Sequence, residues 1–234
     1  MAAHTLHEAD VLLLAAHPLE LEPLASAFGA RWRARLHGLD VAAATVGVGL
    51  HAAGGGAARA VIEHAPRAVV LIGSYGLYPG HGELHATRLL VPARVCAVDA
   101  AERTGKAAFP SAMTVEVTTD AALSEGLVAS AEAAERGALA TTLAITTDDA
   151  LAEELATRSG CHGENLEALA IALACGAAGV PFAAVLACTN QVGARGRAQW
   201  VTHRSAAAGA TVQLVRAWLA HGAPGLPPRA LQTS

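Results

Sequence analysis

Short apolar runs alternate with alanine-rich stretches of helical length along most of the chain, and this alternation restricts the fold more than any other feature of the sequence. The runs at 11–16, 39–46, 68–72, 89–91, 139–145 and 182–188 are bounded by Gly, Pro or polar residues and have the length of core strands. Between them, 19–28, 51–64, 121–136, 149–158, 164–178 and 202–221 carry alanine and other helix formers at helical spacing. Strands and helices in turn predict an α/β fold, a three-layer αβα sandwich around a central mixed sheet. Region 84–117 is the least helical, and its 84–98 stretch predicts extra strands that extend the sheet or partly close it. With 234 residues, no repeat and no linker, residues 1–220 are expected to form a single domain. The tail 221–234, which contains Pro224, Pro227 and Pro228, is expected to be flexible.

The composition excludes several classes of function. Sixteen basic residues against 20 acidic ones give a net charge of −4, with no basic cluster and only 3% aromatics, so a nucleic-acid polymer is not an expected partner. Region 168–188 is uncharged over a length that could span a bilayer, but Gly176, Gly179 and Pro181 interrupt it. A buried helix, a turn and a core strand are expected there, and no membrane association. The run 11–16 is too short for the core of a signal peptide and follows no basic segment. The cysteines (Cys96, Cys161, Cys175, Cys188) form no C-x-x-C pair, so reduced thiols and a cytoplasmic location are expected. His81, His85 and His162 follow no metal-ligand spacing, and neither a metal nor a cofactor is expected.

Five segments carry candidate chemistry, and each admits a plainer explanation. In Ala16-His17-Pro18-Leu19-Glu20-Leu21-Glu22 an acid follows a strand directly, where α/β sheets place ligands, but Glu20 and Glu22 are also acids that a helix N-terminus favours. Val46-Gly47-Val48-Gly49-Leu50-His51 is a Gly-x-Gly turn; the next strand ends Leu71-Ile72-Gly73-Ser74 without the acid a dinucleotide fold needs. Ile72-Gly73-Ser74-Tyr75-Gly76 lacks the first glycine of a nucleophile elbow, so Ser74 reads as a hydrogen-bonding group in a close-approach loop or as part of a small-residue turn. In Gly163-Glu164-Asn165-Leu166-Glu167 two acids three residues apart lie on one side of a helix entering an apolar stretch; a sugar diol could partner them, or the helix dipole could. Cys188-Thr189-Asn190-Gln191-Val192-Gly193, followed by Arg195, Arg197 and Trp200, sets an amide donor and acceptor at a strand end, complementary to a 6-oxopurine edge or simply an Asx turn.

In this order, from about residue 11 to residue 218, the five segments resemble the nucleoside phosphorylase and nucleosidase superfamily. Within it, Glu164-Asn165-Leu166-Glu167 together with Thr189-Asn190-Gln191-Val192-Gly193-Ala194-Arg195 and Trp200 looks most like the futalosine hydrolases. The methylthioadenosine and adenosylhomocysteine nucleosidases usually carry Asp where this chain has Asn190. The resemblance implies hydrolysis of the N-glycosidic bond of a purine nucleoside: futalosine giving hypoxanthine and dehypoxanthine futalosine, in menaquinone biosynthesis. It also implies a homo-oligomer whose partner is a small-molecule purine nucleoside. A methylthioadenosine/adenosylhomocysteine nucleosidase, a purine nucleoside phosphorylase, or an inactive nucleoside-binding member of the fold are the alternatives.

By resemblance, Glu20 is the catalytic carboxylate that activates water and Asn190 contacts the departing purine. Glu167 holds the ribose hydroxyls, with Leu166 beneath the sugar and Ser74 and Gly76 in the loop beside it. Three residues depart from the nucleosidase pattern: Leu186 where an arginine near the sugar is common, Leu166 for methionine, and Leu151 where a base-stacking aromatic is often found. No arginine follows Glu20 closely or occupies the Gly47 to His51 turn, so hydrolysis is expected rather than phosphorolysis.

Overall fold

Strand β1 (Val11–Ala15) is apolar and buried at every position because it runs between two parallel neighbours, β3 (Leu39–Thr45) and β4 (Ala68–Leu77). These strands belong to a nine-stranded mixed sheet in a computed structural model that describes residues 8–229. The remaining strands are β2 (Arg33–Leu36), β5 (Leu89–Ala97), β6 (Glu116–Thr118), β7 (Ala134–Thr141), β8 (Gly163–Asn165) and β9 (Phe182–Gln191). The helices are α1 (Pro18–Leu21), α2 (Ala25–Phe28), α3 (Leu50–His64), α4 (Ala100–Arg103), α5 (Ala121–Ala129), α6 (Asp149–Ser159), α7 (Ala168–Ala177) and α8 (Gly196–Ala220).

The strand order is β2-β3-β1-β4-β8-β7-β5-β6, and β9 pairs with both β4 and β5. The pairings β4–β9–β5–β7–β8–β4 therefore return on themselves: region 84–98, where extra strands are expected, holds the single strand β5, which partly closes the sheet. Alternate residues of the core strands face opposite layers. Leu12, Leu14, Val69, Leu71 and Ala184 pack under α3 and α7. Val11, Leu13, Val70, Ile72 and Val185 pack under α5 and α8, where Trp218 is fully buried. Each such aliphatic side chain contributes about 1.5–3 kcal/mol when removed from water. Helix α7 is uncharged: Ala168 to Ala172 and Cys175 are buried in the core shared with α3, while Leu173 is 39% exposed, and no helix among the described residues is long and apolar enough to cross a membrane.

Several boundaries differ from the sequence expectation, each for a tertiary reason. The helix expected over 121–136 stops at Ala129, because residues from Ala134 onward pair with β5 and Glu135 accepts two hydrogen bonds from Arg88 at 2.7 and 2.8 Å. The strand expected over 139–145 ends at Thr141; Leu143 and Ile145 are 67% and 56% exposed beyond the sheet. β4 runs on through Gly73, Ser74 and Gly76 to Leu77, so these residues are strand rather than the loop or turn anticipated, held by register with β9 and a bulge at Tyr75/Gly76. The single helix expected over 19–28 is broken into α1, a 3₁₀ turn and α2.

The tail also differs. Trp218 Nε1 donates to the Pro224 carbonyl at 2.9 Å, Arg67 Nε donates to the Pro227 carbonyl at 2.8 Å, and Ala223 is buried. Arg229 forms two 3.0 Å hydrogen bonds to Asp10. Residues 221–229 are thus fastened to the body rather than ragged, while 230–234 lie outside the described residues.

Candidate active site

Where β1 ends, the sequence builds a short capped helix. His17 is extended, as the residue before a proline must be, and Pro18 starts α1 with its φ already set. The His17 Nδ1 accepts from the Leu19 amide at 3.2 Å, and the Glu20 carboxylate accepts from the His17 amide at 3.0 Å, closing a capping box. Glu20 is thus the helix-start acid that sequence suggested, and the same carboxyl faces a cavity of about 450 Å³. Its second oxygen would lie only 3.0 Å from a Cβ at position 73, so Gly73 is what allows the carboxyl to lean across β4. Among the described residues no cation forms an ion pair with it. Burial, with the nearby Glu167 charge adding, pushes the Glu20 carboxyl up to about 7 against amide hydrogen bonds from His17, Ala16 and Ser74.

The cavity brings together all six residues singled out from the sequence: Glu20, Ser74, Gly76, Leu166, Glu167 and Asn190. Glu167, only 5% exposed, sits just before α7 and accepts from the Gly49 amide at 2.9 Å, from Asn165 Nδ2 at 2.8 Å and from the Leu166 amide at 3.3 Å. Burial raises its pKa despite these donors. The Gly-x-Gly turn therefore delivers an amide to Glu167, and Val48 from the same turn lines the cavity.

Asn190 lies within β9, not in a turn after it. Its Nδ2 donates to the Gln191 carbonyl at 3.0 Å, which can only accept, so its Oδ1 must face the Thr189 hydroxyl at 2.9 Å. One N–H and one lone pair remain for a ligand. A Cβ at position 76 would stand 2.9 Å from Asn190 Nδ2, so Gly76 acts by leaving room for this amide.

The placement of Glu164 is a correction. It was expected to share a helical face with Glu167, but it lies on β8 and α7 begins only at Ala168. The Asn165 side-chain oxygen accepts from the amides of Glu167 and Ala168 at 2.7 and 2.8 Å, an Asx turn that leads from β8 into the N-cap residue Glu167. Glu164 is 6% exposed and occupied: it accepts from the Thr146 amide at 2.8 Å, the Thr146 hydroxyl at 2.7 Å and the Tyr78 hydroxyl at 3.1 Å. Burial raises its pKa.

Of the three departures, Leu166 lines the cavity and fully buried Leu186 stands beside Gly73 on β9. Leu151 is not at the cavity; it packs against the core beneath α6, and Ile145 reaches the cavity instead. Sequence reasoning gave no role to Thr146, Arg197, Trp200 or Arg204, all of which line the cavity. Among the described residues no group of three or more His, Cys, Asp or Glu side chains is arranged to hold a metal ion.

With this geometry established, comparison adds the family. The family described as the phosphorylase superfamily matches residues 7–220. Among solved structures, the chain is similar to futalosine hydrolase of Helicobacter pylori, with a TM-score of 0.81 at 14% identity over 94% of this chain and 100% of that one. It is similar to the 5′-methylthioadenosine/S-adenosylhomocysteine nucleosidase of Neisseria meningitidis in complex with methylthio-immucillin-A, with a TM-score of 0.79 at 19% identity over 90% and 98% of the two chains. The corresponding nucleosidase of Colwellia psychrerythraea in complex with adenine gives a TM-score of 0.81 at 18% identity over 97% and 99%. No curated protein matches the chain. At these identities the likeness is one of fold.

Proposed function

The chain belongs to the phosphorylase superfamily, and from that footing we propose that it hydrolyses the N-glycosidic bond of a purine nucleoside, with futalosine as the substrate and hypoxanthine as the released base. The observation that carries this reading is the Glu20 carboxyl, raised to about 7 by burial, lining one cavity with the buried Glu167 and the oriented amide of Asn190.

In the proposed reaction the bond to the base breaks toward an oxocarbenium-like sugar, and its electron pair goes to the purine. Glu20 takes a proton from the water that attacks the anomeric carbon, a task suited to a base whose pKa lies near neutral pH. Glu167 accepts from the ribose hydroxyls, and its negative charge favours the cationic sugar. N7 takes a proton from solvent water as the bond breaks, and the proton that Glu20 removed returns to solvent; the free lone pair of Asn190 Oδ1 accepts from that N7–H, and its free N–H donates to O6. An adenine offers a donor at that position and leaves the N–H unmatched, at a cost of about 1–3 kcal/mol. The arginines at the cavity, Arg197 and Arg204, lie on α8 and not on the Glu20 loop, which supports water rather than phosphate as the nucleophile.

The test is a panel of inosine, adenosine, methylthioadenosine and futalosine incubated in phosphate-free buffer, with released base resolved by chromatography. Hypoxanthine release should exceed adenine release by roughly tenfold or more, and Asn190→Asp should narrow that ratio. Turnover that requires phosphate and yields ribose 1-phosphate makes the chain a phosphorylase. A preference for adenine nucleosides gives the methylthioadenosine nucleosidase reading instead, and binding without release gives an inactive member of the fold.

A further inference from the structure

Strand β9 changes partners where it reaches the candidate base contact. Leu186 and Ala187 pair with β5, and the Cys188 amide adds a last bond to the Arg88 carbonyl at 2.9 Å. Thr189 is then the extra residue of the bulge against β4, since Tyr75 pairs with Cys188 and Gly76 with Asn190. Beyond it, among the described residues, β5 gives β9 no further partner, and backbone groups left unpaired inside a fold are costly. Helix α8 supplies what the sheet does not. Gln199 Oε1 accepts from the Gln191 amide at 2.9 Å, and His203 Nδ1 lies 2.9 Å from the Thr189 carbonyl oxygen. That oxygen can only accept, so His203 carries its proton on Nδ1. The two side chains stand four residues apart on one helix face, are half-buried, and do not line the cavity.

The residues pinned in this way are the two that orient Asn190. Its Oδ1 meets the Thr189 hydroxyl at 2.9 Å, and its Nδ2 donates to the Gln191 carbonyl at 3.0 Å. The last torsion of an asparagine side chain has little preference of its own, so the amide plane follows these partners. A Thr189 released from His203 can turn its hydroxyl to the Tyr75 carbonyl, 3.3 Å away, and Asn190 Oδ1 then loses its donor. Gly196 lets the start of α8 come this close: a Cβ there would stand 3.1 Å from Asn190 Nδ2 and 3.2 Å from the Gln191 carbonyl oxygen.

We propose that Gln199 and His203 are positioning residues for base recognition: they hold the backbone on both sides of Asn190 and so fix the direction in which its free N–H and lone pair face the departing purine. This rests on the reading of Asn190 as the base contact, and it makes the purine preference depend on two side chains that stand outside the cavity. A bond to a protonated N7 strengthens as the glycosidic bond breaks, so its misalignment falls on kcat more than on KM.

The test compares Gln199→Met and His203→Phe, which keep bulk and remove the hydrogen bonds, with Gln199→Glu and His203→Asn, which keep an acceptor and a donor near the same places. In release of base from inosine and adenosine by the full-length protein, Gln199→Met and His203→Phe together should lower kcat for inosine by roughly tenfold, leave KM within about twofold, and narrow the preference for inosine. The conservative pair should recover part of the loss. In an Asn190→Ala background the first pair should cost less than about twofold further, whereas a merely structural role costs the same in both backgrounds. Equal cost in the two backgrounds, or an unchanged inosine preference in folded variants, overturns the proposal. If His203→Phe does not fold by circular dichroism, Gln199→Met alone carries the same comparisons. If the wild type releases no base, the nucleosidase reading has failed by itself, and NMR of the Asn190 side-chain amide, identified by its loss in Asn190→Ala, decides this one. Exchange with water of the proton held by the Gln191 carbonyl should be roughly tenfold faster in Gln199→Met and in His203→Phe, and equal exchange overturns the assignment.

Discussion

The two ends of β1 carry acids with opposite fates. Asp10, just before the strand and 2% exposed, would be raised by burial, but hydrogen bonds from Arg229, the Asp40 amide and Arg67 hold it well below the usual carboxylate range. Glu20, just after the strand, is also desolvated but meets only backbone amides and the charge of Glu167, so it rises to about 7. A few residues of one strand separate a charge that is compensated by Arg67 and Arg229 from one that is left uncompensated. The difference teaches that desolvation alone fixes neither stability nor reactivity; the partners at the far side of the fold decide which results.

That contrast can be broken most severely at Glu20. Glu20→Gln keeps the capping geometry and removes the basicity, so turnover in the base-release assay should fall by roughly a hundredfold or more while circular dichroism is unchanged. An unaltered rate would remove Glu20 from the mechanism. At the other end, Asp10→Ala strands Arg67 and loosens the Pro227 and Arg229 attachments, and should cost roughly 2–4 kcal/mol in urea unfolding near pH 7; water at exposed Arg229 keeps this below the loss of a fully buried pair. Because the folded pKa of Asp10 is depressed, its contribution is complete above the ordinary carboxylate range and is lost as pH falls through that range toward the folded value. The difference between wild type and Asp10→Ala should therefore shrink in acid, and a difference independent of pH would mean that packing, not charge, is what Asp10 supplies.

The smallest effect sharpens the comparison from the opposite sign. With a folded pKa raised from 4.5 to about 7, Glu20 in the native state keeps a proton that the unfolded chain has released, so stability declines as pH rises across that interval and levels off above it. Glu20→Gln should accordingly melt a few degrees higher than wild type near pH 8, with the gap closing near pH 5. A gap that is constant with pH would show that the native Glu20 titrates like a free carboxyl.

Much of this was legible in the chain itself. The apolar runs around Val11, Ala68 and Phe182 had to be strands because burial on both faces leaves no polar alternation, and the six candidate residues do line one cavity. His17-Pro18-Leu19-Glu20 contains its own capping box, so the local direction of Glu20 follows from four neighbouring residues. Glu164 was misread because two acids before an apolar stretch fit a helix start, and only pairing of β8 with β4 and β7 converts that segment to strand. Thr146 belongs to no motif; it matters because the chain beyond β7 turns back over Glu164. The spacing of Arg197, Trp200 and Arg204 was visible, but nothing local says that this face of α8 overlooks a cavity.

The sequence by itself determined the alternation of strands and helices, the caps and the chemical types gathered at the strand ends, because those depend on propensity and on contacts within a few residues. Which carboxylate is neutralised, which is left to rise toward neutral pH, and which arginines line the cavity were decided only by the tertiary structure. Charge energies depend on distance and burial, and both are set by segments as far apart in the chain as Asp10 and Arg229, or Gly49 and Glu167.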